Sequence, residues 1–241
     1  MIANVSLFIL FKVKTIDTFK FDKSIGISLI RIKDIIRLGL PNCIQRVLFT
    51  LINIILARLI GSFGSDAIAA QKIGLQIESV GFMIIGGLNG AVLSFTGQNY
   101  GAKLIKRIKR GYKAALYVGI NYSFIMMAVF ILFNENLIKL FIADRNTIKI
   151  ASDYLNIVAF SQVFSTIEQV SNGLFTGIGK PKISSGISVT FTALRIPMAI
   201  VLINFFGLEG IWISIAFSSV LNAFSAYIMY RVLLRKELII C

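Results

Sequence analysis

Of the eleven acidic residues in the chain, Glu78 and Glu168 are the two that fall well inside long apolar stretches. A carboxylate at that depth is costly and must be paired, protonated or hydrated, so it suits uptake of a proton or the holding of a cation with help from neighbouring oxygens. Other polar residues line up with them. At ~100° of rotation per helical residue, Gln71, Glu78, Asn89 and Thr96 fall within about 20° of one another. Ser161, Ser165, Glu168 and Asn172 form a second stripe, about 60° wide. Asn42, Gln45, Arg46 and Asn53 share a third face, and Ser184, Ser188, Thr192 and Arg195 a fourth. Glu168 and Glu78 are the candidates for binding a proton or a cation. Gln45, Arg46, Asn53, Gln71, Asn89, Ser165, Asn172 and Arg195 are the candidates for lining a cavity, with Arg46 and Arg195 as counter-charges. The same side chains also serve as hydrogen-bonding glue between packed membrane helices, and a structural ion pair would satisfy the charges equally. Residue types alone leave both uses open.

Other chemistries find no support. The chain has no histidine, which removes Ser-His-Asp arrangements, imidazole metal sites and histidine proton shuttles. Cys43 and Cys241 are far apart and neither belongs to a CxxC pair, so no metal ligand set is expected. The stretches GLNG and GIGK lack a preceding strand and the Walker spacing, so they are not phosphate loops. An enzyme, a cofactor or a resident metal is not expected. The net charge of +14 would fit nucleic acid only if it formed a basic face on a soluble domain. Here the basic residues occupy the gaps between apolar runs.

Those runs must position the stripes. The chain is 56% hydrophobic with a mean hydropathy of +0.83 and only three prolines, which places it among integral membrane proteins. A bilayer core of about 30 Å needs roughly 20 helical residues. Six runs are long enough: 38–60, 67–96, 113–133, 151–177, 183–206 and 210–233. The second contains Gly86, Gly87 and Gly90, a bend or a close-packing point, or simply part of a long tilted helix. Lysine and arginine orient the runs. The segment before the first, the 101–113 loop, the 178–183 loop and the tail carry 18 of the 25 basic residues, so both ends of the six-helix block are expected to be cytoplasmic. The first 37 residues read as the end of a preceding helix plus a cytoplasmic, partly amphipathic connector, which suggests a fragment of a longer chain. Residues 38–234 then form the transmembrane lobe and 235–241 a cytoplasmic tail.

Several stretches carry a resemblance. "LGLPNCIQRVLFTLINIILARLIGSFGSDAIAAQKIGLQIESV", "AVLSFTGQNYGAKLIKRIKRGYKAAL", "EQVSNGLFTGIGKPKISSGISVTFTALRIPMA" and "GLEGIW" follow one another in the order found in the carboxyl-terminal half of multidrug and toxic compound extrusion (MATE) transporters. The chain resembles that family over nearly its whole length. The implied fold is all-α and integral to the membrane: six transmembrane helices forming one lobe of a twelve-helix, two-lobed transporter. The implied activity is efflux of organic, often cationic, compounds across the cell membrane in exchange for H+ or Na+. The implied partners are membrane lipid, the drug substrate and a second six-helix lobe. The resemblance also points to Gly97, Gln98 and Gly101 of the GQNYGA stretch as a gate or hinge. An ordinary glycine-terminated helix end explains the same residues.

The family pattern is not complete. Some cation-coupled members carry a carboxylate about eight residues after the GLP proline, where this chain has Phe49, and an aspartate where it has Ser165. A coupling site must therefore be built from Glu168 and Glu78. Two other readings stay open: a lipid-linked oligosaccharide flippase of the same wider fold class, which calls for more cationic cavity residues, and a truncated product that transports nothing.

Overall fold

The computed structural model describes residues 29–237, and the expectations for the first 28 residues and the extreme tail lie outside them. The described residues from Arg37 onward belong to one compact unit. Among the described residues every regular element is a helix. They are α1 (Leu29–Gly61), α2 (Ser65–Gly101), α3 (Ile105–Leu132), a short α4 (Asn134–Lys139), α5 (Arg145–Gly177), α6 (Pro181–Ala193), α7 (Arg195–Phe206) and α8 (Leu208–Glu237).

Local chemistry explains the boundaries. Asp144 caps α5, its carboxylate accepting from the backbone N–H and the hydroxyl of Thr147, both at 2.8 Å. Pro181 starts α6 at a position where its missing N–H costs nothing. Gly207 has φ 57° and reverses the chain between α7 and α8, a conformation that most side chains avoid. The expected run 183–206 is interrupted at Leu194, giving α6 and α7. Pro197 supplies the reason, because it has no N–H to donate to the carbonyl four residues earlier.

Five spans satisfy both length and apolar character: Gly39–Gly61, Ser65–Gly101, Ile105–Leu132, Pro181–Phe206 and Leu208–Leu233. The sixth expected run falls on α5, which is 33 residues long but too polar to join them. The reason is its place in the bundle. α5 packs against α2, α3 and α8, and sixteen of its residues are buried, so its serines, threonines and glutamine meet protein instead of lipid.

Two apolar clusters hold the bundle. One gathers Leu56, Ile60, Phe130, Tyr154, Leu155, Ile211 and Trp212; the other gathers Ile108, Tyr112, Leu174, Phe175 and Tyr230. The first turn of α2 is tied to the start of α5 by Asn146, whose Nδ2 donates to Asp66 Oδ2 at 2.6 Å. At the opposite end α2 and α5 approach backbone to backbone. A Cβ on Gly173 would stand 2.6 Å from the Asn89 carbonyl oxygen, and one on Gly177 would stand 2.8 Å from that of Leu93. Glycines four apart on α5 are what allow this seam.

That seam changes the reading of GQNYGA. Gly97 and Gly101 do not make the turn; both are helical, and the left-handed backbone falls on Lys103, with φ 58°. Leu104 N–H donates to the Asn99 carbonyl and Ala102 N–H to that of Gln98, which closes the helix end. Gly97 instead faces the Gly177 carbonyl across the seam. Nor do Gly86, Gly87 and Gly90 form a contact, since added Cβ atoms there would meet open space and α2 continues unbroken.

Candidate functional site

The polar stripes converge on one cavity of about 1210 Å³ between α1, α2, α5, α6, α7 and α8. Gln45, Arg46 and Asn53 line it from α1; Gln71, Glu78 and Asn89 from α2; Ser165, Glu168 and Asn172 from α5; and Arg195 from α7. Gly97, Gln98 and Gly101 lie at the end of α2 and are not part of the lining.

The two carboxylates differ. Glu78 is 5% exposed, and its Oε1 has no hydrogen-bond partner. The groups that act on it electrostatically are the Tyr154 hydroxyl and the Arg195 guanidinium. Glu168 accepts from Ser188 Oγ at 2.6 Å, so α5 and α6 are joined through it. Arg195 acts electrostatically on both acids, yet no ion pair within 4 Å joins it to either. Its Nε donates to Ser218 Oγ at 2.6 Å, and its guanidinium lies 5.9 Å from the centre of the Phe49 ring. The expected pairing of Arg195 with an acid is therefore replaced by a hydroxyl on one edge and a ring face below. Arg46 is exposed and its side chain makes no hydrogen bond or ion pair among the described residues.

Other stripe members are drawn into packing. Thr96 is buried where α2 meets Gly177, and Ser184 is buried outside the cavity. Asn89 Nδ2 donates to the Gln169 carbonyl at 2.7 Å, so it fastens α2 to α5 while lining the cavity. Asn42 accepts from Ser185 Oγ at 3.2 Å and links α1 to α6.

Lys72 and Tyr154 also line the cavity and were not singled out by sequence. Tyr154 was within reach of helical geometry: seven residues before Ser161, it lies about 20° from it on the same face. Its ring packs edge-on against Trp212, 5.3 Å between centroids, and Trp212 Nε1 donates to Gln71 Oε1 at 3.2 Å.

The cavity is polar and partly charged, and long apolar helices wall it. Residues 41–201 match the MatE family model. The chain belongs to the MatE family. It is 30% identical over 190 residues to the probable multidrug resistance protein NorM of Thermotoga maritima, a match covering 75% of this chain and 40% of that protein. It is 24% identical over 203 residues to the multidrug export protein MepA of Staphylococcus aureus, covering 84% of this chain and 45% of the relative. The chain thus spans less than half the length of these relatives. The fold matches a MATE crystal structure in a straight conformation with a TM-score of 0.85 at 20% identity, covering 98% of this chain and 54% of that one. This MatE chain carries Phe49 within 5.9 Å of the Arg195 guanidinium, with its cavity carboxylates on α2 and α5.

Proposed function

We propose that this MatE chain forms one lobe of a multi-pass exporter of organic compounds in the cell membrane, driven by exchange with H+ or Na+ through Glu168 and Glu78. The observation that carries the reading is Glu78 Oε1, buried and without a hydrogen-bond partner on the wall of a cavity shared with Glu168. A buried acceptor left open in the protein is completed by something that comes and goes, such as a proton or a cation. Glu168, held by Ser188, offers the second oxygen donor. One named relative is a multidrug export protein and the other a probable multidrug resistance protein, which supports the same role here. Because the chain spans less than half their length, a second six-helix lobe is expected to close the cavity, and alternating access requires both.

The test is gradient-driven efflux in proteoliposomes containing the assembled two-lobe transporter, with expression matched between variants. Glu168→Gln keeps the side-chain shape and removes the titratable charge, so it is expected to abolish coupled transport; Glu168→Asp retains part, and Ser165→Ala matters less. Full coupled transport by Glu168→Gln would move the role to Glu78. The basic 101–113 and 178–183 loops support a cytoplasmic position for both ends of the block under the same reading. In a background with Cys43 and Cys241 replaced, Lys106→Cys and Asn146→Cys should label from opposite sides with an impermeant thiol reagent. Labelling of Lys106→Cys from outside intact cells would reverse that topology.

A further inference from the structure

The cavity carries more positive than negative charge. Arg46, Lys72 and Arg195 line it against Glu78 and Glu168. Arg46 and Lys72 are exposed and screened, so Arg195, only 8% exposed, dominates the field inside. Three observations mark its guanidinium as a prepared anion receptor. Ser218 fixes Nε, the Phe49 ring lies beneath the plane, and the two Nη groups make no hydrogen bond or ion pair to any described residue. A guanidinium presents a fork of donors that matches a carboxylate, sulfonate or phosphate. A lone organic cation would meet this charge beside the two carboxylates that attract it.

We propose that Arg195 docks an anionic group of the transported compound, so that the cavity selects zwitterionic amphiphiles over simple organic cations. The proposal rests on reading the cavity as the transport site and names the substrate class of that site. The basic end of such a compound faces the open Oε1 of Glu78, the acidic end meets the free edge of Arg195, and the apolar body lies against Phe49, Leu75 and Phe82. At about 1210 Å³ the cavity is large enough for a ligand of that kind.

The test uses three fluorescent probes built on one body. Dansylcadaverine carries only an ammonium, Nε-dansyl-lysine adds a carboxylate beside it, and 6-(dansylamino)hexanoate carries only the carboxylate. Each is titrated against the purified full chain in nanodiscs of zwitterionic lipid. Nε-dansyl-lysine is expected to bind about tenfold more tightly than dansylcadaverine, the worth of one charge-assisted bidentate contact. Arg195→Gln should remove that ratio and weaken 6-(dansylamino)hexanoate, while Arg195→Lys keeps part of it and Ser218→Ala, which frees Nε, reduces it about threefold. Emission of Trp212, the single tryptophan, reports whether each variant is folded beside the cavity. Equal binding of dansylcadaverine and Nε-dansyl-lysine, an unchanged ratio in folded Arg195→Gln, or no binding of Nε-dansyl-lysine would each overturn the proposal. Phosphatidylglycerol in the nanodiscs separates two sources of the anion: loss of the ratio there assigns the group at Arg195 to a lipid phosphate, and its persistence assigns it to the dissolved compound. Dansylcadaverine binding to the Glu78→Gln, Glu168→Gln double variant probes the carboxylates alone, so failure of the coupling reading is seen separately from failure at Arg195.

Discussion

The two polar faces of α5 differ in what their side chains meet. On the packed face Ser171 shares a 2.7 Å hydrogen bond with the Tyr112 hydroxyl, Thr166 one of 2.5 Å with Ser123, and Gly173 and Gly177 let α2 close against the backbone. On the cavity face Ser165, Glu168 and Asn172 line the cavity, Glu168 accepting from Ser188, and Glu78 on the same cavity leaves an oxygen unpartnered. Both faces contain hydroxyls and amides, so composition does not separate them. Position does: the Ser171 and Thr166 hydroxyls are bonded across to α3, while Glu78, facing the cavity wall that α5 supplies, keeps one oxygen open.

The comparison breaks hardest at the glycine seam. Gly173→Leu would drive a branched side chain into the Asn89 carbonyl, and we expect a loss of ~3 kcal/mol or failure to fold, read as thermal unfolding in detergent. Ser165→Ala, on the cavity face of the same helix, should stay within ~0.5 kcal/mol of the parent. If both variants behave alike, the two faces are not distinct.

Tyr112→Phe removes one buried hydrogen bond, although the Ser171 hydroxyl keeps its bond to the Ile167 carbonyl, so a loss of about 1 kcal/mol is expected in the same assay. Glu78→Gln should leave stability unchanged or raise it, because the native carboxylate has an unmet acceptor in the folded state. A fall of more than ~1 kcal/mol on Glu78→Gln would make Glu78 a packing residue like Tyr112 and erase the contrast.

The smallest effect lies outside the spans. The N–H and hydroxyl of Thr147 hold the Asp144 carboxyl below its ordinary 3.8. A depressed folded value means that the cap stabilises α5 fully above the unfolded value and stops doing so as pH falls through the folded one. Melting temperatures measured from about pH 6 to pH 3 should therefore drop less steeply for Asp144→Ala than for the parent. Identical slopes would show that the cap contributes nothing to the acid limb.

Much of this was readable from residue order. Apolar run length requires membrane-crossing helices, and a period of ~3.6 residues places Glu78 with Gln71 and Asn89, and Glu168 with Ser165 and Asn172, whatever the neighbours are. Both stripes depend only on local geometry within one helix. GLP, GQNYGA and NGLFTGIGK likewise carry the family in short local strings.

What lay beyond the sequence depends on which helix faces which. That a helix as polar as α5 can run through the bundle depends on its central place, where protein replaces lipid on most sides. Thr96 belongs to a wet stripe by angle, but contact with Gly177 turns it into packing. Arg195 had two acids within electrostatic reach, and only the approach of Ser218 on α8 and Phe49 on α1 decided that it would pair with neither. A helical wheel fixes directions around one axis, whereas partners are set by the crossing of separate axes, and that information exists only once the chain is packed.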